Sequence, residues 1–403
     1  MKLIFIHYAI VDKEGFGRTF KLAKEVALLN NQVVFITTQP FKEFKFPFKV
    51  EYRDNVKIIS FPDILPDNFR RTGFGLFSTF LKVLYLIKHR KFDIVHSDTG
   101  HRPSAAIPAL LLQLIFNVPH VTEWWDFFGK GGQFDEKSFF KKITFGFYDL
   151  LIQKPFLKIS NGVIPLSAFL KDKALGYKIP LNKILLLNGG ADIDGIKYHN
   201  NNEYLKIKYG IPKDSLTFGF IGMNSGEIKD LTPFLEALQK IKNEINVNWF
   251  TTGGLISGKI KHEFEIGDEL KEFGWQDYDT FTECISCADV FLLLQNANIM
   301  NKARWPNKLG DYVAAGRLTL TNPVGEIVRV NVECSEIFNV VTFNTDDLTK
   351  KIRELYIDRR NLLSKGKIVR EVAEKKLSWK NRATELVHFY SYILNKNKNN
   401  NDK

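Results

Sequence analysis

Short apolar runs rich in valine, isoleucine and phenylalanine alternate along this chain with stretches of helical period, and the alternation restarts after Asn188-Gly-Gly-Ala-Asp192. A strand that reads as an unbroken apolar run is buried on both faces, and strands separated by helices must run parallel; together these point to parallel sheets covered by helices. The spacing predicts strands at 2–7, 32–37, 56–61, 94–96, 120–123 and 162–165, then at 216–222, 248–252, 290–294, 318–322 and 338–343. The expected fold class is therefore α/β, with two doubly wound Rossmann-like domains in sequence, and 403 residues are enough for both. The boundaries fall at 1–190 and 191–375, followed by a helical segment at 376–394 and, where asparagine and lysine dominate, a disordered tail at 395–403.

Charge and cysteine usage narrow the function classes. The 57 basic residues against 45 acidic ones give a net charge of +12, which favours an anionic partner without choosing one. The basic residues are spread along the chain and are not clustered with aromatic platforms, so no nucleic-acid partner is expected. Three cysteines do not make a disulfide scaffold, which suggests a reducing, cytoplasmic location. Cys284-Ile-Ser-Cys287 has no second ligand pair, and reads as two small apolar residues on a buried helix face. The apolar run at 1–8 is too short for a secretory signal, and the longest one, 105–118, is interrupted by Pro108, Gln113 and Asn117 and falls short of the ~20 residues that span a bilayer.

In open parallel sheets ligands bind where strands end and helices begin. The stretch Arg304-Trp-Pro-Asn-Lys-Leu-Gly-Asp-Tyr-Val-Ala-Ala-Gly316 has the makings of such a site. Pro306 suits a first helical turn, Asn307 a cap, Gly316 a stop, while Leu309, Tyr312 and Val313 form a packed side. Arg304 and Lys308 oppose the helix dipole at a cost of a few tenths to about 1 kcal/mol. A bound phosphate reverses that sign, and Asp311 one turn on would accept hydrogen bonds from a sugar diol. The alternative is a Lys308–Asp311 surface pair worth a few tenths of a kcal/mol.

The same stretch resembles the donor-site helix of GT-B glycosyltransferases of the family 4 type, Pro-x-Lys-x-x-Glu-Tyr-x-Ala-x-Gly, here Pro306-Asn-Lys308-Leu-Gly-Asp311-Tyr312-Val-Ala-Ala-Gly316. Gly15-Phe-Gly17-Arg18 resembles that family's first glycine loop, and Phe92-Asp-Ile-Val-His96 its Asp-apolar-apolar-His strand. Asn188-Gly-Gly-Ala-Asp192 is similar to its interdomain segment with one extra residue. Phe220-Ile-Gly222 with Lys229 resembles its phosphate loop, and Ala288-Asp289-Val-Phe291 a later strand. The pieces keep the family's order over almost the whole chain. Two positions depart from it: Met223 replaces an arginine and Ala303 a glutamate, so Arg304 would stand in as phosphate clamp and the donor sugar is not set by analogy. Thr122-Glu-Trp-Trp-Asp126-Phe-Phe-Gly129 is nearer to the Arg-Asp-x-Trp loop of a branch acting on polyprenyl-linked sugars.

The resemblance implies a GT-B architecture whose two domains face an interdomain cleft, the first binding acceptor and the second a UDP- or GDP-sugar. Its last helix would cross back to the first domain. Lys308, Lys229 and Asp126 would be catalytic, with Asp126 positioning or deprotonating an acceptor hydroxyl, Glu123 its competitor, and Trp125 and His96 on the acceptor side. Asp126 as a turn cap beside interface-filling tryptophans is the alternative. Gly222, Arg304, Asn307, Asp311, Tyr312, Gly15 and Gly17 would bind donor. No cofactor and no metal are expected, with Asp192-Ile-Asp194 and Asp277-Tyr-Asp279 read as linker and loop. The implied reaction is transfer with retention to a glycan or lipid-linked acceptor in cell-surface polysaccharide or glycoconjugate synthesis, the leaving phosphate assisting proton removal. Aromatic and basic residues interleave at 139–148 and 72–90, candidates for contact with the inner face of an anionic membrane, although packed helices explain the second stretch better. The competing reading is a GT-B relative without turnover that binds a nucleotide or anion.

Overall fold

The computed structural model describes residues 1–10, 17–40, 43–98, 101–224 and 226–401. Two units emerge, each with its own sheet. The first comprises Met1–Gly189, Ala303–Trp305 and the chain from Trp379 on; the second comprises Gly190–Lys302 and Pro306–Ser378.

The first unit carries β1 (Lys2–Ile10), β2 (Gln32–Thr38), β3 (Lys49–Arg53), β4 (Val56–Phe61), β5 (Ile94–Ser97), β6 (His120–Trp124) and β7 (Gly162–Pro165). They lie in the order β3-β4-β2-β1-β5-β6-β7, parallel except for the β3–β4 pair. Apolar residues on both faces of β1 explain its unbroken apolar reading. Leu3 and Phe5 pack with Val26, Leu386 and Tyr390 of the helices Gly17–Leu28 and Trp379–Asn401 on one side. Ile4 and Ile6 pack with Leu81, Leu86, Ala105 and Ala109 on the other. Burying each such side chain contributes about 1.5–3 kcal/mol.

The second unit carries β8 (Leu216–Met223), β9 (Val247–Gly253), β10 (Leu270–Glu272), β11 (Val290–Leu293), β12 (Leu318–Thr321) and β13 (Phe338–Val340). Their order, β10-β9-β8-β11-β12-β13, is parallel throughout. In each sheet the order reverses once, between β1 and β5 and between β8 and β11, and the carboxyl ends at those two points are where a doubly wound sheet holds ligands.

Four details differ from the sequence reading. The edge strand β3 has an exposed face, with Tyr52 74% exposed, so it lacks the apolar run that marks its neighbours; it joins β4 through Asp54 and Asn55, both at positive φ as a two-residue hairpin turn requires. β10 is only three residues long and half-exposed. The last helix continues past Leu394 to Asn401, as helix propagation is cheap once a packed helix has formed. Finally, the helix Leu76–Lys88 buries Ser78, Thr79, Leu81, Lys82 and Leu86 and exposes Leu76, Phe80, Leu84 and Ile87, so part of its apolar surface faces outward. Among the described residues no helix is long and apolar enough to cross a membrane.

Candidate functional sites at the two strand-order reversals

At the end of β8, Gly222 has φ +70, and a Cβ there would meet no neighbour, so backbone conformation and not crowding calls for glycine. Met223 follows, buried, so the position where the family carries arginine turns an apolar side chain inward. Asn224 Oδ1 accepts from the backbone N–H groups of Gly226 and Glu227, leading into the helix Ile228–Ile241, whose first turn holds the exposed Lys229. Asp230 accepts from Asn296 N at 2.8 Å, tying this loop to the one after β11.

Lys308 reaches the same place from the other side. Its ammonium donates to Glu227 Oε2 at 3.1 Å and stands 3.9 Å from the centre of the Phe220 ring, so Glu227 is a partner that the surface-pair reading did not name. Asn307 does not cap: it has helical φ and ψ and its side chain makes no cap hydrogen bond. Tyr312 is not available to a donor either. It is fully buried and stacked on Phe291 at 4.0 Å, and its hydroxyl accepts from Ile221 N and donates to Leu292 O, pinning the helix Lys308–Ala314 to β8 and β11 at once. Asp311 is half-buried near Tyr278, whose hydroxyl donates to Asp192 at 2.8 Å. Burial, and then the Asp192 and Asp311 carboxylates, push the Tyr278 phenol far above its usual range. Asp277 N-caps the helix Tyr278–Ser286, accepting from Thr280 N at 2.9 Å. Cys284 and Cys287 are buried free thiols, raised by that burial to about 11 and about 12.

In the first unit, β1, β5 and β6 bring a second group together. Gly15 lies outside the described residues; Gly17 opens the helix Gly17–Leu28 with φ +54. Glu123 is not a competing base. It is fully buried, Arg18 Nε donates to its two oxygens at 3.1 and 3.2 Å, and Trp125 Nε1 donates to it as well. Despite the opposing effect of burial, Arg18 with the nearby His96 holds the carboxyl down at about 2. The remaining Arg18 nitrogens donate to the carbonyls of Asn188 and Leu187, so this pair clamps the segment that leaves the unit. His96 is also structural: it has no exposure, stacks on Phe5 and hydrogen-bonds Tyr390 through Nδ1 at 2.7 Å.

Asp126 keeps a different environment. It is partly exposed, burial raises its carboxyl, and the nearby Arg304 and a hydrogen bond with Gln133 pull the other way. Arg304 belongs to this unit because Ala303 packs beside Trp124 and Phe127 and its carbonyl accepts from Ser167 Oγ at 2.5 Å. The guanidinium assigned to phosphate by sequence thus has a carboxylate neighbour. Tyr8 links this pair to β1. Its ring meets Trp125 edge-on at 6.0 Å, and burial, with the Asp98 and Asp126 carboxylates adding to it and Arg102 opposing, raises its phenol to about 12. Asp98 was invisible in the sequence, where it is one aspartate after one short strand; only the pairing of β5 with β1 sets it beside His7 and Tyr8.

No family model matches the chain and no curated protein matches its sequence. Solved structures do match in fold. A sucrose-phosphate synthase from Thermosynechococcus elongatus is similar with a TM-score of 0.76 at 13% identity, over 98% of this chain and 99% of that one. A glycosyltransferase from Rickettsia africae gives 0.67 at 16% identity, covering 98% of each chain. Anabaena HepE, solved in complex with UDP, gives 0.67 at 11% identity over 97% of this chain and 100% of that one. The fold is that of the GT-B class, two parallel-sheet Rossmann-like domains.

Proposed function

We propose that this protein is a glycosyltransferase that moves a sugar from a UDP- or GDP-sugar to a glycan or lipid-linked acceptor, with retention, without a metal, in cell-surface glycoconjugate synthesis. The observation that carries the reading is Lys308, held over the Phe220 ring of β8 at the reversal point of the second sheet and paired with Glu227 at the start of the helix Ile228–Ile241. A diphosphate is the ligand that an ammonium and helix-terminal N–H groups favour together. Fold neighbours whose structures hold UDP, or UDP with glucose, support the same ligand class.

In this reading Lys308 and Lys229 stabilise the diphosphate as the sugar C1–O bond breaks, Asp311 accepts from the sugar hydroxyls, and Asp126 with Arg304 positions the acceptor. The acceptor oxygen forms the new bond to C1, its proton passes to a phosphate oxygen of the leaving group, and the nucleoside diphosphate departs with the bonding electrons. Exposed Phe139, Phe140, Ile143 and Phe147 beside Lys141 and Lys142, and the outward apolar face of the helix Leu76–Lys88, suit contact with an anionic membrane that presents a lipid-linked acceptor.

Thermal unfolding against UDP, GDP and ADP, with and without chelator, tests the donor site. A ligand at a hundred times its dissociation constant adds about 2.7 kcal/mol. A shift with one nucleotide class that survives chelator is expected; no shift with any of them sinks the reading.

A further inference from the structure

From Asn68 to Phe92 the chain carries no carboxylate, and its charges there are the basic residues Arg70, Arg71, Lys82, Lys88, Arg90 and Lys91. Arg70 and Lys82 are buried, so the exposed positive charge gathers at the end of the helix Leu76–Lys88 and just past it, on Lys88, Arg90 and Lys91. Along the helix itself Leu76, Phe80, Leu84 and Ile87 recur at helical spacing and are between 45% and 59% exposed, an apolar stripe that leads to that charge.

Beside the stripe the first unit has a cavity of about 500 Å³, between the helix and the segment 46–48 that leads into β3. Phe61, at the end of β4, and Leu81 are buried at its floor, whereas Phe46, Leu84 and Ile87 are exposed at its mouth. The rings of Phe48, Phe61 and Tyr85 lie 5.4 to 5.7 Å from one another and brace its wall. We infer that this cavity takes one acyl chain of an anionic membrane phospholipid, with Lys88 and the basic residues after it meeting the headgroup. The inference deepens the reading of this face as one that contacts an anionic membrane, and rests on it.

The lining chemistry selects the occupant. Volume and apolar character place the cavity among sites for small ligands, about 300–1,000 Å³. Its lining side chains carry polar groups only at Tyr85, Lys88 and His89, toward the end of the helix, where His89 stacks on Tyr85 at 4.3 Å. A peptide brings a backbone N–H and C=O at every residue, and each would need a partner on losing water. A fatty chain brings none, and the apolar walls gain from any hydrocarbon that replaces water there. Charge selects the headgroup. Lys88, Arg90 and Lys91 outweigh the partial negative charge of the helix C-terminus. The acidic residues nearest in the chain on the strand side, Glu43 and Glu51, both pair with Lys49, at 3.1 and 3.4 Å.

The test uses the whole protein with vesicles of phosphatidylglycerol and phosphatidylcholine at one to three, containing a trace of phosphatidylglycerol with a photoreactive diazirine on its acyl chain. After illumination, digestion and mass spectrometry should find the label on 46–48 and 81–88. The same chain carried by phosphatidylcholine in the same vesicles should label those residues about fivefold less, the worth of one basic residue near the headgroup. Leu81→Trp fills the floor and leaves the stripe untouched, so the label at 46–48 should disappear while vesicle binding persists. If that variant melts early, Leu84→Trp fills the mouth from an exposed position, where added bulk costs the fold little. Label confined to the stripe or to 139–147, equal labelling by the two headgroups, or labelling at 46–48 that survives in a folded Leu81→Trp or Leu84→Trp overturns the assignment. So does displacement of the label by an apolar peptide and not by oleate, which would make the cavity a peptide site. A wild type that binds no vesicles removes the membrane reading and the cavity's ligand with it; one that binds vesicles without label at 46–48 removes only the ligand. None of these readouts uses turnover, so the transferase reading is judged apart from them, by the nucleotide-induced melting shift.

Discussion

Lys308 and Glu227 form an ion pair of 3.1 Å at the mouth of the second sheet, each side chain 17% exposed, with the ammonium over Phe220. The pair resolves the oddity of a lysine at a helix start: Glu227 offsets the unfavourable dipole in the unliganded protein. A diphosphate at this point would take over the ammonium and meet Glu227 as a like charge. Glu227→Gln is therefore expected to tighten UDP about fivefold, near 1 kcal/mol, and Lys308→Ala to abolish the UDP-induced melting shift. Calorimetric titration of both variants checks this; weaker UDP binding by Glu227→Gln means that Lys308 serves Glu227 and not a ligand.

Removing one member of the buried Arg18–Glu123 pair should be far more costly than removing an exposed one. Glu123→Ala leaves a buried guanidinium without its carboxylate, and a loss of about 3–5 kcal/mol in urea unfolding is expected.

The same pair sets a pH dependence. Glu123 ionises at about 2 in the folded chain against an ordinary 4.5, so its stabilisation is complete above 4.5 and disappears as pH falls from there toward 2. The unfolding free energy of wild type should decline across that window more steeply than that of Glu123→Gln, whose side chain does not titrate. Parallel curves for the two proteins would show that other carboxylates govern acid unfolding.

Asp126→Asn is expected to lower turnover about 100-fold and to leave the UDP-induced shift unchanged, because Asp126 belongs to the first unit and Lys308, Lys229, Gly222 and Asp311 to the second. Loss of the nucleotide shift in this variant would count against separate acceptor and donor roles.

Buried thiols make a sharp test of the CxxC reading. Cys284, Cys287 and Cys334 are all buried, and the first two are raised by burial well above neutral pH, so a thiol reagent at pH 8 should modify none of them before unfolding and all three in denaturant. Rapid labelling of Cys284 in the native protein would reopen a redox role.

Much of the fold was legible because most of the parallel strands are buried on both faces, and the apolar runs that result stand out without any partner being known, whereas the short, half-exposed β10 has no such run. β3 was not legible, since an exposed edge strand has no need of an apolar face, and its one mark was the Asp54-Asn55 turn. The motif at 304–316 located the helix that reaches the β8 end, but it could not distinguish Lys308, aimed at that end, from Tyr312, stacked inside on Phe291.

Sequence alone determined the two-sheet α/β plan, the restart near Asn188 and the helix at 308–314, because all of these follow from local periodicity and from residues close together in the chain. The tertiary structure decided which polar residues are available for chemistry. Glu123 and His96, suggestive by position, are held by Arg18 and Tyr390, and Asp98 meets His7, ninety-one residues away, only through the pairing of β1 with β5. Burial and hydrogen-bond partners are set by contacts between distant segments, and those same contacts set whether a side chain is held inside or left to meet a ligand.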